Sequence, residues 1–341
     1  MNASEPSQGR KGLTMKKIIL STAVAIVMAA SAASAADLKA AYKAAPPPPP
    51  PSKWDIAFGA AVMSDYNFRG ISQSNRRGAV TAYFEPRYNF TDWLQAYAGV
   101  GGYSIEFPNR AAAEIDFYGG IRPTFGKFAF DFGIWYYYYP DGQCFNTPAL
   151  GGPECIAPLP NGNVAKSEAS FIEYYGKLTY NFSDKLSAGV AVYYDPNWLN
   201  TGADGTYLSG TAKYVLPWSL PILSGGVGMY VSGELAHYWF GTTDAFYGTG
   251  PGTQFALGVP LPDYTTWNVG IGFTWKVFTL DLRYYDTDLS SGECNVLTGD
   301  HTAVFNTGNI SNINPGGLGS RWCGSSFIAK FSADLTYANL K

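Results

Sequence analysis

The chain has 341 residues, of which 14% are charged and 16% are aromatic, and its formal net charge is −3. This near-neutral balance argues against nucleic acid as a partner. The length would allow two soluble domains. However, one pattern of alternating apolar and polar residues recurs from Trp54 to the end of the chain.

The N-terminal region has the features of a secretory signal peptide. Basic Lys16 and Lys17 precede an apolar stretch over 18–30, which the small residues Ala33-Ser34-Ala35 follow. This order predicts a signal peptide over residues 1–35, starting in effect at Met15 and cleaved before Ala36. A transmembrane anchor is the alternative, but the apolar stretch is shorter than the ~20 residues that a spanning helix needs.

A proline-rich leader follows the signal peptide over residues 36–53. It contains an unbroken proline run from Pro46 to Pro51, and such a run adopts an extended polyproline II conformation. The leader is either a spacer before the next domain or a periplasmic arm in which Lys39 and Lys43 touch the anionic cell wall.

Apolar and polar residues alternate through twelve segments after the leader. In the clearest segment, Phe128, Phe130, Phe132 and Ile134 fall on one side and Asp131 on the other. A period of two residues is that of a β-strand, whose successive side chains point to opposite faces. The predicted strands are Trp54–Ile71, Val80–Phe90, Trp93–Phe107, Glu114–Phe125, Lys127–Tyr138, Phe171–Phe182, Lys185–Asp195, Thr206–Leu216, Gly226–Phe240, Thr265–Val277, Phe278–Asp288 and Ser326–Tyr337.

The connections between these strands alternate in length. Most links on one side are very short, whereas 141–170, 241–264 and 289–325 are long. A soluble β-sandwich has no reason to alternate in this way, but an outer-membrane barrel does. We therefore predict an all-β fold over residues 54–341: a transmembrane antiparallel β-barrel of about twelve strands, with short periplasmic turns and long extracellular loops.

This fold assigns the two faces of each strand. Outer-membrane lipid is the expected partner of the apolar face, including Phe128, Phe130 and Phe132, and the tyrosines from Tyr136 to Tyr139 are expected at the outer membrane interface. The charged residues of the opposite face are expected to line the pore, since Lys or Arg at mid-depth would cost ~2–4 kcal/mol on the lipid face. They are Asp65, Arg69, Glu85, Arg87, Asp116, Arg122, Asp131, Glu173, Lys177, Lys213, Glu234, Lys276, Asp281, Arg283, Lys330 and Asp334.

Two functions are open for such a lumen. A water-filled pore with walls of both charges would pass small hydrophilic solutes or ions by diffusion and select among them. A salt-bridged, plugged lumen would instead belong to a non-conducting structural or surface-interaction barrel. Twelve strands lie between the filled small barrels and the wide channels, so a narrow channel is geometrically possible.

The sequence SDYNFRGISQS, from Ser64 to Ser74, begins in the first predicted strand and continues just past its end. This motif resembles the N-terminal signature of the TorF family of porins. The resemblance implies an outer-membrane location and a channel-like role, with no known substrate. Within the motif, Asp65 and Arg69 share the lumen side and Tyr66 and Phe68 would face lipid. Arg69 is then either a selectivity residue near the outer mouth or a structural partner of Asp65 at the strand end.

The four cysteines fall in two long loops, Cys144 and Cys155 in one and Cys294 and Cys323 in the other. Exported chains meet oxidising conditions, so two disulfides within these loops are expected. A metal site is the alternative, but the short C-x-x-C spacing is missing.

No cofactor and no enzymatic activity are expected. The sequence has only two histidines, His237 and His301, and His237 lacks a serine two residues away in the strand. A catalytic triad needs a nucleophile, a histidine base and an orienting group within hydrogen-bond reach.

Overall fold

The structure is a computed structural model that describes residues 53–143, 159, 161–249 and 253–337. The predicted signal peptide, nearly all of the leader, and Cys144 and Cys155 lie outside these residues. No helix in the described part of the chain is long and apolar enough to cross a membrane.

Twelve long strands form one closed antiparallel barrel, as predicted. Their bounds are β1 Trp54–Met63, β4 Ala79–Asn89, β5 Leu94–Tyr103, β6 Glu114–Phe125, β7 Phe128–Tyr138, β8 Phe171–Asn181, β9 Leu186–Asp195, β10 Gly205–Val215, β11 Gly228–Phe240, β12 Tyr264–Trp275, β13 Phe278–Thr287 and β16 Ser326–Thr336. Neighbours in the chain pair with each other, and β1 closes the ring by pairing with both β4 and β16. The barrel places β9 six strands from β1 in either direction, directly across the lumen.

Short elements complete the fold at one end of the barrel. Two-residue strands β2 (Asn67–Phe68) and β3 (Ile71–Ser72) pair with each other, as do β14 (Val304–Phe305) and β15 (Leu318–Gly319). The helix α1 spans Ser291–Thr298, and Ser290 and Glu293 form a capping box at its start. All of these lie in the long connections, so we call this the long-loop end and the opposite end the short-turn end.

Each predicted barrel strand is present, and two predicted ends differ from the structure by more than two residues. The first strand ends at Met63 rather than Ile71, because the chain turns into the barrel after that residue. The third strand ends at Tyr103 rather than Phe107. Lys276 lies in the two-residue turn between β12 and β13, with a φ of 54°.

The outer face of the barrel is apolar. Exposed side chains of this face include Phe84, Val100, Phe117, Ile121, Phe128, Phe132, Ile134, Val190, Leu235, Val269, Phe327 and Phe331. The tyrosine run divides between the faces: Tyr136 and Tyr138 are exposed, whereas Tyr137 and Tyr139 are buried inside. The expectation that all four tyrosines mark one interface was therefore wrong, because consecutive strand residues alternate in direction.

The predicted disulfide between Cys294 and Cys323 is confirmed, with a Cα–Cα distance of 5.7 Å. It joins α1 to the segment before β16 in the last long loop. The second predicted pair, Cys144 and Cys155, lies outside the described residues.

Candidate functional site

A hairpin that follows β1 enters the barrel interior, and we call residues 64–74 the inward hairpin. Its two short strands β2 and β3 are joined by Arg69 and Gly70, whose φ angles are 51° and 89°. Positive φ at both central residues is what a type I′ hairpin turn requires. The Gly70 amide donates to Asn67 Oδ1 at 2.9 Å and closes the turn.

The base of the inward hairpin is held by Asp65. Its carboxylate accepts hydrogen bonds from Ser72 Oγ at 2.6 Å and Ser74 Oγ at 3.0 Å. Arg76 Nη1 lies 3.4 Å from the same carboxylate. Burial raises the pKa of Asp65, and the two serine hydrogen bonds and Arg76 oppose that rise. Asp65 therefore ties both arms of the hairpin together, and its ionic partner is Arg76 rather than Arg69.

The tip of the inward hairpin carries a buried ion pair across the lumen. Arg69 Nη1 lies 2.7 Å from Glu173 Oε1, and Nη2 donates a hydrogen bond of 2.9 Å to Oε2. The two side chains are 7% and 0% exposed. Burial opposes the charge of Arg69, but the Glu173 carboxylate holds the pKa of Arg69 well above its ordinary value. Glu173 also accepts from Tyr137 Oη at 3.2 Å.

Aromatic rings enclose the Arg69 guanidinium. Its central carbon lies 4.5 Å from the Tyr193 ring centre, 4.3 Å from that of Tyr207 and 5.1 Å from that of Tyr238. Tyr193 belongs to β9, so the tip reaches the wall directly opposite β1. Tyr264 Oη donates to the Arg69 carbonyl at 2.9 Å. The inward hairpin thus spans the lumen and is fixed on the far side.

The other motif residues also face the interior. Tyr66 is buried and its hydroxyl donates to Glu114 at 2.5 Å, and the Phe68 ring packs edge-on to that of Tyr137. The prediction that Tyr66 and Phe68 face lipid was wrong, because it extended β1 through a segment that has left the barrel wall.

A second charged group bridges strands β4, β6 and β7 inside the barrel. Arg122 lies 2.8 Å from Glu85 and 3.4 Å from Asp131. Glu85 also pairs with Arg87 at 2.6 Å, and Asp131 accepts from Tyr97 Oη at 2.5 Å. Contacts between strands that are not neighbours show that these side chains point into the lumen.

A third group lies along β10 to β13. Glu234 accepts from Tyr207 Oη and from Asn268 Nδ2, both at 3.1 Å. Asn268 in turn accepts from Arg283 at 2.6 Å, and Arg283 lies 2.9 Å from Asp281. Opposite charges of the predicted pore-lining set are therefore arranged next to each other along the wall.

The other predicted pore-lining residues on the wall and in the turns belong to neither of these two charged groups. Asp116 is buried on β6. The ammonium groups of Lys177 and Lys213 lie 4.3 Å from the Tyr175 ring and 4.1 Å from the Tyr230 ring. Lys276 lies in the turn at the short-turn end, over the Trp275 ring at 4.6 Å.

A cavity of ≈ 330 Å³ with both polar and apolar lining residues lies within the barrel, and we call it the mid-lumen cavity. Glu85, Arg87, Lys330 and Asp334 bring charges of both signs to its wall, and Asp334 accepts from Tyr83 Oη at 3.1 Å. Polar, charged walls of this kind can replace part of the hydration shell of a small solute.

Both histidines and two of the four cysteines lie in the described part of the chain. There, no group of three His, Cys, Asp or Glu side chains is placed to hold a metal ion. His237 contacts Thr265 Oγ1 at 3.0 Å, and His301 Nε2 lies 3.5 Å from Glu106.

Comparison with known families gives a partial match. The family described as "Bacterial protein of unknown function (Gcw_chp)" matches residues 48–150, which include the inward hairpin. No curated protein matches the chain. The TorF resemblance therefore stays a prediction.

Several solved structures of outer-membrane proteins are similar to this chain. An outer membrane channel from Pseudomonas putida F1 has 8% identity and a TM-score of 0.42, with 84% of this chain and 96% of that chain covered. The NanC porin has 10% identity and a TM-score of 0.39, with coverage of 83% and 100%. The KdgM porin, in complex with disordered oligogalacturonate, has 9% identity and a TM-score of 0.36, with coverage of 83% and 98%.

Proposed function

We propose that the protein is an outer-membrane channel for small hydrophilic solutes or ions, exported by its signal peptide and related to the TorF porins. In this proposal the long-loop end faces the outside and the short-turn end the periplasm. The observation that carries it is the mid-lumen cavity, which has side chains of both charges on its wall and lies inside a barrel whose outer face is apolar. The inward hairpin is then the constriction that solutes must pass.

A non-conducting barrel is the second candidate. The burial of Arg69 and Glu173 favours it, since a dry ion pair at the hairpin tip leaves little room for water around these groups. In that function the inward hairpin would be a permanent plug and the long loops would act on a partner.

Conductance of the folded protein in planar bilayers distinguishes these functions. We expect discrete current steps from the wild type. For Lys330→Glu we expect the reversal potential to shift in the direction of greater cation selectivity, because this change makes the mid-lumen cavity more negative. Lys185→Glu is the matched control, since Lys185 lies exposed in a short turn outside the barrel wall.

Equal shifts in Lys330→Glu and Lys185→Glu would mean that general surface charge, and not the mid-lumen cavity, sets selectivity. Silence of well-folded wild-type protein at all voltages would contradict the channel and favour the plugged barrel.

The proposed membrane location also predicts how substitutions on the outer face of the barrel change the stability of the protein in lipid vesicles. Leu235 on β11 is 61% exposed and Leu257 in a long loop is 85% exposed. We expect Leu235→Arg to lower the free energy of unfolding by about 2–4 kcal/mol if the site is near mid-depth. Leu257→Arg should cost less than about 0.5 kcal/mol. Denaturant titration of the vesicle-bound protein measures both, and equal small losses would argue against lipid at Leu235.

A further inference from the structure

A second cavity, of ≈ 360 Å³, lies at the long-loop end, and we call it the outer cavity. The inward hairpin contributes Phe68 and Ile71 to its lining, and β11 and β12 contribute Tyr238 and Tyr264. It shares no lining residue with the mid-lumen cavity. Its volume falls within the range of about 300–1,000 Å³ that small-molecule sites occupy.

The amide groups in the lining are already used by the protein itself. The side-chain amides of Asn163 and Asn295 donate to each other's oxygens at 2.7 and 3.1 Å. Asn109 donates to the Ser167 carbonyl at 2.8 Å, and Asn161 to that of Asp300 at 2.8 Å. Asn314 donates to the Asn309 and Leu318 carbonyls. These amides therefore shape the loops rather than present their donors to a ligand.

Other polar groups of the lining are directed in the same way. The hydroxyls of Tyr139 and Tyr238 donate to Glu114 at 2.7 Å and Asp195 at 2.6 Å. Trp322 Nε1 donates to Asn75 Oδ1 at 2.9 Å. These side chains turn ring carbons toward the cavity while their polar atoms bond elsewhere.

The described lining residues of the outer cavity also present no uncompensated charge. Among the described lining residues Lys166 is the one ionic side chain, and its ammonium lies 2.5 Å from Asp244 and 2.9 Å from the Asn200 carbonyl. A charged ligand would lose hydration without gaining a partner, which is costly. An apolar ligand would gain contact with Trp198, Leu261 and Leu297 as well as with the tyrosine rings.

We infer that the outer cavity binds an uncharged, largely apolar small molecule with a flat aromatic ring. The inference is independent of whether the lumen conducts, because the outer cavity and the mid-lumen cavity have no lining residue in common. It adds a ligand class that differs from the hydrophilic solutes of the proposed channel.

Naphthalene is a suitable probe, measured by equilibrium dialysis of the full protein in lipid nanodiscs with empty nanodiscs as the partition blank. We expect saturable binding of one naphthalene per barrel, and at least tenfold weaker binding of naphthalene-2-sulfonate. Ala169→Trp fills the outer cavity and should abolish saturable binding. Ala98→Trp, on the exposed face of β5, is the matched control and should retain it.

Leu199→Lys is a second variant that still tests the site if Ala169→Trp misfolds. Leu199 lines the outer cavity but is only partly buried, so its replacement should disturb folding less. It should also weaken naphthalene binding at least tenfold. The inference is overturned if wild-type binding does not exceed the nanodisc blank, or if saturable binding survives both substitutions.

Discussion

Replacing Arg69 by methionine should lower the free energy of unfolding by about 3–5 kcal/mol, the usual cost of removing one partner of a buried ion pair. Glu173 is 0% exposed, and without Arg69 the Tyr137 hydroxyl would be its one remaining hydrogen-bond donor among the described residues. Methionine has similar length, so loss of charge rather than loss of volume dominates. Denaturant unfolding in lipid vesicles, followed by tryptophan fluorescence, measures the change.

Two comparisons isolate the ion pair. Arg77→Met removes an arginine of the same loop that is 71% exposed and pairs with Glu106, and it should cost less than about 1 kcal/mol. The double variant Arg69→Met/Glu173→Gln removes both charges and should be more stable than the sum of the two single losses predicts. Equal small losses in Arg69→Met and Arg77→Met would show that the inward hairpin is not docked in solution.

Gly70→Ala should displace the inward hairpin from the lumen. A Cβ at this position would lie 2.4 Å from Thr287 Cγ2 and 2.5 Å from Thr266 Oγ1, and the backbone φ of +89° is already unfavourable for alanine. Overpacking costs about 1–3 kcal/mol, and the left-handed backbone adds about 1–2 kcal/mol. We expect trypsin to spare the bond after buried Arg69 in the wild type and to cut it in Gly70→Ala, and mass spectrometry of the fragments detects the difference.

Gly126→Ala is the matched control for this substitution. Gly126 has a φ of +59° but no atom within 4 Å of the added Cβ, so only the backbone cost applies. Trypsin should cut after exposed Arg77 in every variant, which reports equal protease access. Continued protection of Arg69 in Gly70→Ala would contradict the hairpin's tight fit against β12 and β13.

The barrel could be predicted from the sequence because each strand meets apolar surroundings outside and polar surroundings inside. That contrast produces a period of two wherever one face carries charge, as at Asp131 and Arg283. It is lost in the tyrosine run, where side chains of one type occupy both faces and only the strand geometry separates Tyr137 from Tyr138.

The inward hairpin was missed because its residues also alternate in polarity. Tyr66 and Phe68 meet aromatic walls inside the barrel, so an apolar side chain there does not indicate the outer face. The partners of Arg69 are 104 and 169 residues away in the chain, and no local pattern identifies them. Helix α1 did leave a local signal, the Ser290–Glu293 capping box.

The position of the inward hairpin in the chain has a consequence for the order of assembly. It follows the first strand, yet its tip is held by β8, β9, β10, β11 and β12. Such distant contacts form late, because the intervening chain must first be ordered. We therefore expect Arg69 to pair with Glu173 only after most of the wall has formed, so that protection of the Arg69 peptide bond would mark a completed barrel.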